Sequence, residues 1–160
     1  MDMKNLKQLL TQPLSKLPTS LTIFLLVVAL IGFVDASYLA VEHYRGVIPP
    51  CTIVSGCELV LTSSYSFILG IPVSLLGAIY YFVVLVGISA YLESKNTRLL
   101  KWTLLLTIFG LLFSLWFLYV QAFVIGAYCL YCLGSALTST ALFVTACVVF
   151  KKYSVETISQ

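Results

Sequence analysis

The sequence predicts an all-α integral membrane protein with four transmembrane helices. Of its 160 residues, 61% are apolar and only 9% are charged, against roughly 25% charged residues in ordinary soluble domains. A soluble fold of this size would need far more polar surface. The chain also contains four predominantly apolar runs, each long enough for the roughly 20 residues that a helix needs to cross a hydrocarbon core about 30 Å thick.

Each apolar run predicts one span. The predicted spans cover about residues 21–41, 67–92, 99–123 and 128–150. We expect one transmembrane domain over residues 1–160, because the tails outside the spans are too short to fold alone. The first run could be a cleaved signal peptide, but its length and the three spans that follow it favour an uncleaved helix.

The positive charges predict the orientation of these spans. Eight of the nine lysines and arginines fall on one side: Lys4, Lys7, Lys16, Lys95, Arg98, Lys101, Lys151 and Lys152. Only Arg45 falls on the other. The positive-inside rule therefore places both termini in the cytoplasm and the loops at about 42–66 and 124–127 outside. The net charge of +3 is too small to imply a nucleic-acid partner.

Four of the five cysteines share the predicted outer side. Cys51 and Cys57 lie in the first outer loop, and Cys129 and Cys132 lie at the outer end of the fourth span. Disulfides persist in compartments outside the cytosol, so this concentration indicates disulfide chemistry. Cys147 follows about 22 Å deeper along the fourth helix, at 1.5 Å per residue, and we interpret it as inert packing.

The sequence Cys129-Leu-Tyr-Cys132 indicates a reactive pair, because a helix start favours the thiolate form. Haem attachment is excluded, since Leu133 rather than a histidine follows the pair. A zinc site is the remaining alternative. Five residues separate Cys51 from Cys57, which is wider than zinc knuckles allow, and no further ligand-rich segment supports a metal. We therefore expect no metal.

The pair Cys51 and Cys57 admits two interpretations. Alone, it would be a structural disulfide. Beside a reactive pair, thiol exchange is favoured, because exchange needs only a thiolate and an accessible disulfide. Four cysteines allow three pairings, so the sequence leaves open whether Cys57 pairs with Cys51 or with Cys129 at rest.

The chain resembles the vitamin K epoxide reductases, and specifically the bacterial members that drive disulfide formation. The resemblance covers roughly residues 20–150 and rests on the spacing of Cys51 and Cys57, Ser63, the run Leu69-Gly-Ile-Pro-Val-Ser-Leu-Leu-Gly77, and the pair Cys129 and Cys132. It implies a four-helix bundle around a quinone. It also implies a short half-helix on the outer face, over Glu58 to Tyr65 in the first outer loop.

The resemblance further implies a role for each cysteine. Cys132 faces the quinone and Cys129 exchanges with Cys57. Cys51 receives electrons from a reduced thioredoxin-fold partner, and Ser63 helps to hold the active site. Many members carry that partner fused at the carboxyl end, whereas this sequence stops soon after its fourth span. We therefore expect the partner to be a separate protein.

Two departures bear on the substrate. Vertebrate members carry polar side chains where this chain has Val73 and Ala136, so ubiquinone or menaquinone is expected rather than vitamin K epoxide. A second quinone-linked family, disulfide bond formation protein B, also has four spans and two outer cysteine pairs. It places the CxxC pair in the first outer loop, whereas the order here is reversed.

Polar residues within the spans add candidate quinone contacts to Ser63. Asp35 is an ionisable group inside the first span, and such groups are functional candidates by default; a hydrogen-bonded bundle contact is the alternative. Gln121 is the only side-chain amide of the third span. It lies eight residues before Cys129, where it could donate a hydrogen bond to a quinone carbonyl.

Together these observations predict a quinone-dependent thiol oxidoreductase of the cell (inner) membrane, active at its outer or periplasmic face. Such an enzyme would reoxidise a thioredoxin-fold carrier and so drive disulfide formation in exported proteins. The alternative is a non-enzymatic small membrane transporter or assembly subunit whose cysteines form only structural disulfides at its outer face.

Overall fold

Four long helices dominate the computed structural model, which describes residues 17–51 and 56–155. In chain order, the elements are helix α1 (Thr19–Arg45), helix α2 (Cys57–Leu61), strands β1 (Phe67–Ile68) and β2 (Ile71–Pro72), and helices α3 (Val73–Ser94), α4 (Thr97–Tyr119) and α5 (Leu130–Val155). A π-helical turn, Val120–Ile125, extends α4. Within the described residues, four helices are long and apolar enough to cross a membrane. The predicted fold class is confirmed, and the protein is a multi-pass membrane protein.

The second span begins later than predicted. The prediction started it at residue 67, but residues 67–72 form a two-stranded antiparallel hairpin instead. At its tip, Leu69 and Gly70 have φ angles of 52° and 80°, a left-handed backbone that a right-handed helix cannot contain. Helix α3 then starts directly after Pro72, which has no amide hydrogen to contribute to the helix.

Helices α1, α3 and α5 are held together by one tyrosine. A Cβ atom at Gly32 in α1 would overlap the ring of Tyr81 in α3, so the glycine allows the two helices to approach. The Tyr81 hydroxyl donates a 2.7 Å hydrogen bond to the Ser135 carbonyl oxygen and lies 2.8 Å from the Thr138 hydroxyl in α5. Close packing and interhelical hydrogen bonds of this kind stabilise bundles in lipid.

The implied half-helix is shorter than the resemblance suggested. Helix α2 ends at Leu61, and the chain continues as a 3₁₀ turn, Ser64–Ser66, rather than as one helix from Glu58 to Tyr65. The Ser63 hydroxyl donates a 2.7 Å hydrogen bond to the Val60 carbonyl oxygen at this break. Helix α2 packs over the end of the bundle where α5 begins, because Val60 is fully buried against Phe117 of α4 and its neighbours.

Candidate active site

A disulfide joins Cys51 to Cys57, with a Cα–Cα distance of 6.0 Å. Of the two pairings that the sequence left open, the structure therefore holds the one within the loop. The two sulfurs differ in access, since Cys51 is partly exposed while Cys57 is only 2% exposed. The Tyr131 hydroxyl donates a long hydrogen bond, 3.4 Å, to the Pro50 carbonyl oxygen, which ties the loop to α5.

The loop disulfide lies against the second cysteine pair because Gly56 has no side chain. A Cβ atom at Gly56 would lie only 2.6 Å from the carbonyl oxygen of Tyr128 and 2.8 Å from its amide nitrogen. Cys57 follows this contact, and Cys129 follows Tyr128. Both cysteines are buried in the same cluster. The structure thus brings together the pairs predicted from the sequence, through a close backbone approach that the sequence analysis did not foresee.

Cys129 occupies the N-cap position of α5, one residue before the helix begins. Its carbonyl oxygen accepts the hydrogen bond of the Leu133 amide at 3.0 Å. Cys132, one turn on, donates a hydrogen bond to the Cys129 sulfur, and this is the main reason why the pKa of Cys129 is lowered. Backbone amides of the first turn also lower this pKa, while burial and the Asp35 carboxylate oppose them. The start of α5 therefore favours a thiolate at Cys129.

Gln121 connects the cysteine pair to α4. Its side chain is 0% exposed, and its Oε1 atom accepts a 2.9 Å hydrogen bond from the Cys129 amide. The residue lies in the π-helical turn at the end of α4, a distortion that often marks functional sites. Its Nε2 atom is buried and has no hydrogen-bond partner among the described residues. One end of the amide is thus anchored and the other is available.

A cavity of about 690 Å³ lies between the four long helices, within the size range of small-molecule sites. Most of its lining is apolar. Cys132 lines it, and so do Val73 and Ala136, the two positions at which vertebrate relatives were expected to differ. The cavity therefore connects the redox pair with the apolar interior of the bundle.

The buried side-chain atoms that lack a hydrogen-bond partner among the described residues all belong to residues that line this cavity. The described residues include four such atoms: Asp35 Oδ2, Tyr80 Oη, Gln121 Nε2 and Ser139 Oγ. The Tyr80 hydroxyl lies toward Ser139 without reaching hydrogen-bond geometry. Each such atom costs about 1–3 kcal/mol if it stays unpaired. Their concentration in one apolar cavity indicates a ligand that carries polar atoms.

The structure places the predicted site residues in two groups. Asp35, Gln121 and Cys132 line the cavity, and their contact with a quinone stays a prediction. Ser63 is not among the lining residues, and its hydroxyl is engaged at the end of α2, so its contact with a quinone stays a prediction. Cys147 is exposed on the surface of the bundle rather than packed within it.

Two further cavity residues, Tyr80 and Ser139, were not singled out from the sequence. They lie in different helices and are 59 positions apart along the chain, so no local motif joins them. A hydroxyl within an apolar span was the available signal. It was a weak one, because Tyr81 and Thr138 carry the same signal and serve packing instead.

The lowered pKa of Cys129 predicts how the reactivity of this thiol depends on pH. We expect the reaction of Cys129 with a small thiol reagent in the reduced protein to have a lower pH midpoint than that of an ordinary cysteine, although burial slows the reaction at every pH. Cys132→Ala removes the main hydrogen bond and should move the reactivity curve to higher pH, whereas Cys132→Ser keeps an O–H donor and should move it less. Mass spectrometry of the Cys129 peptide across a pH series measures this. Identical curves for the alanine and serine variants would contradict the assignment.

The close backbone contact at Gly56 predicts that a side chain at this position slows disulfide formation between Cys57 and Cys129. In a Cys51→Ala, Cys132→Ala background, Cys57 and Cys129 should form a disulfide under mild oxidation. Adding Gly56→Ala should slow that reaction on the order of tenfold or more, because a displacement of about 1 Å is enough to disrupt a reacting geometry. Non-reducing mass spectrometry follows the bond. Gly134→Ala is the matched control, since a Cβ atom there meets nothing within 4 Å. Equal rates in both variants would refute the prediction.

Comparison with known proteins agrees with this geometry. Residues 23–147 match the Vitamin K epoxide reductase family, and this segment contains both cysteine pairs and the residues that line the cavity. A search of curated proteins finds no significant match. The match spans well over half of the chain and includes the redox centre that the structure assembles. The chain therefore belongs to the vitamin K epoxide reductase family, and the family indicates a thiol oxidoreductase.

Proposed function

We propose that this protein is a quinone-dependent thiol oxidoreductase that reoxidises a thioredoxin-fold carrier and so drives disulfide formation in exported proteins. One observation carries the proposal. Cys132 lines an apolar cavity together with four buried polar atoms that lack partners, next to a second cysteine pair that holds a disulfide.

The difference in exposure between Cys51 and Cys57 supports a specific order of electron transfer. Cys51 is partly exposed, so a carrier thiolate attacks there and Cys57 leaves. A second carrier thiolate then releases Cys51, and the carrier keeps the new disulfide. Cys57, buried beside Cys129, passes the electrons inward by attacking a Cys129–Cys132 disulfide. Cys132 leaves as a thiolate, and closure of Cys51 onto Cys57 restores the loop disulfide. The loop pair is then oxidised and the inner pair reduced, the same pairing as in the structure.

The residues of the cavity fit a quinone. Bound there, a quinone would supply a lipid-soluble acceptor for two electrons and two protons. The Gln121 Nε2 atom, fixed by the bond from Oε1 to the Cys129 amide, would donate to a carbonyl oxygen, and Cys132 would face the ring. Because Val73 and Ala136 offer no polar contact at the lining, ubiquinone or menaquinone fits better than vitamin K epoxide.

The proposed location follows from charge. Lys95 lies in the turn between α3 and α4, and Arg98 lies in the first turn of α4. This turn is at the opposite end of α4 from Gln121 and the cysteines. The positive-inside rule puts that turn in the cytoplasm. We accordingly infer an inner-membrane protein with its active site on the outer or periplasmic face, where a thioredoxin-fold carrier would reach Cys51.

The central test follows quinone reduction optically in the purified protein with a reduced thioredoxin-fold protein as donor. We expect turnover in the unmodified protein and loss to background in Cys132→Ala, because the inner pair can then no longer form its disulfide. Cys57→Ala should also abolish transfer from the donor. Cys147→Ala, on the exposed surface of the bundle, is the matched control and should retain full activity.

The same variants test the alternative of a non-enzymatic membrane subunit with structural disulfides. That alternative requires Cys51→Ala and Cys57→Ala to lower the melting temperature without affecting any quinone reduction, and Cys132→Ala to behave like Cys147→Ala. Absence of Cys132-dependent turnover with both ubiquinone and menaquinone would reject the proposed function.

Because its Oε1 atom is anchored to the Cys129 amide, we expect Gln121 to bind the quinone through its Nε2 atom. Gln121→Leu should raise the KM for quinone about tenfold, the equivalent of about 1.4 kcal/mol, since a buried hydrogen bond contributes about that much. Steady-state kinetics at saturating donor measures the change. Gln121→Glu is the matched control, because its protonated carboxyl keeps one acceptor for the Cys129 amide and one donor for the ligand. An unchanged KM in the leucine variant would remove Gln121 from the binding site.

A further inference from the structure

We propose that Asp35 is the acid–base residue of this site, which accepts a proton from the cysteine pair and donates it to the oxygen atom that is reduced. This inference rests on the proposed function and deepens it. It concerns how protons accompany electrons into a cavity whose lining is mostly apolar.

Asp35 lies in a position that a purely structural carboxyl does not explain. It sits inside span α1 and lines the cavity, and its Oδ2 atom is buried without a hydrogen-bond partner among the described residues. Among the described side chains, an ion pair joins Arg45 to Glu42 at 3.0 Å, and it does not involve Asp35. An unpaired carboxylate in a membrane span is costly, so this position suits a carboxyl that carries and exchanges a proton.

The packing of α1 on α5 sets the depth of Asp35. The rings of Tyr38 and Tyr131 are in contact, with centroids 5.6 Å apart, so these two residues lie at the same level of antiparallel helices. Asp35 is three residues before Tyr38, and Cys132 is one residue after Tyr131. At 1.5 Å per residue, the two differ in level by only about 3 Å. Both line the same cavity.

Electrostatics agrees with this placement. The Asp35 carboxylate acts on both Cys129 and Cys132, so it is close enough for its charge to influence the redox pair. His43 also lines the cavity from α1, but it lies eight residues further on, about 12 Å along the helix axis. Tyr80 and Ser139 offer hydroxyl groups, which are far weaker acids and bases near neutral pH than a carboxyl.

The chemistry requires such a group. Counted from the dithiol form of the inner pair, oxidation breaks two S–H bonds and forms one S–S bond, and two electrons leave the sulfur atoms. The acceptor gains two electrons, and two O–H bonds form on its oxygen atoms. Both protons can therefore come from the thiols. A carboxyl beside Cys132 can take a thiol proton and return it to an acceptor oxygen, which leaves Asp35 unchanged after each turnover.

The test compares Asp35→Asn, which keeps the shape but cannot exchange a proton, with Asp35→Glu, which keeps the acid. We expect Asp35→Asn to lower the rate of quinone reduction about 100-fold or more, within the range for loss of an acid–base residue, and Asp35→Glu to recover much of it. Quinone affinity, measured by quenching of tryptophan fluorescence, should change little. Reduction of the loop disulfide by the donor should also be unaffected.

A spectroscopic readout covers the case in which Asp35→Asn does not fold. The sequence contains only two aspartates, Asp2 and Asp35, so carboxyl-¹³C aspartate in an Asp2→Asn protein labels Asp35 alone. Time-resolved infrared difference spectra, recorded while the reduced inner pair transfers its electrons to a quinone, should show a transient, isotope-shifted carboxyl band as the proton passes through Asp35.

The outcomes separate the two proposals. If unmodified protein shows no Cys132-dependent quinone reduction, the proposed function itself fails. If that activity is present, three results would overturn the role of Asp35: full activity in Asp35→Asn, a loss explained by weaker quinone binding alone, or the absence of any labelled carboxyl band in the difference spectrum.

Discussion

The hydrogen bond from the Cys129 amide to Gln121 is the interaction on which the geometry of the site depends. It joins the start of α5 to the end of α4 at 2.9 Å, between two fully buried partners. Because the carbonyl end of the side chain is held, its amide nitrogen is left without a partner at the cavity. One bond therefore positions a redox sulfur and a ligand donor together. This arrangement is accompanied by a local distortion at the end of α4, the π-helical turn that contains Gln121.

A membrane span has no bulk water that could complete missing hydrogen bonds. A buried polar atom in a span that has no partner in the protein is therefore not satisfied by bulk solvent. Tyr80 and Tyr81 are neighbours in α3, yet among the described residues only the Tyr81 hydroxyl has a hydrogen-bond partner. Tyr81 bonds to α5 and holds the bundle together. The Tyr80 hydroxyl rests against Gly110, where a Cβ atom would overlap it, and stays unpaired at the cavity. Two identical side chains thus serve packing and the ligand site, respectively.

The sequence predicted those features that a single strong constraint controls. The bilayer requires long apolar helices, so the four spans could be recognised. The CxxC pair indicated redox chemistry because a helix start favours the thiolate form. Apolarity alone could not separate the hairpin at 67–72 from a span, because its turn depends on the backbone at Leu69 and Gly70. The role of Gly56 was equally hidden. It depends on a contact with Tyr128, 72 positions away, that only the folded chain creates.

The depth of each reactive group would let the proposed enzyme join a donor in water to an acceptor in lipid. The loop disulfide has one partly exposed sulfur, Cys51, and one buried sulfur, Cys57. Cys57 meets Cys129, and Cys132 one turn further on reaches the cavity. Electrons can therefore move inward by exchange between neighbouring sulfurs, without opening the bundle to water. Protons have no such chain of sulfurs to follow, and a carboxyl at the level of Cys132 is the one strongly acidic side chain that lines the cavity within the described residues.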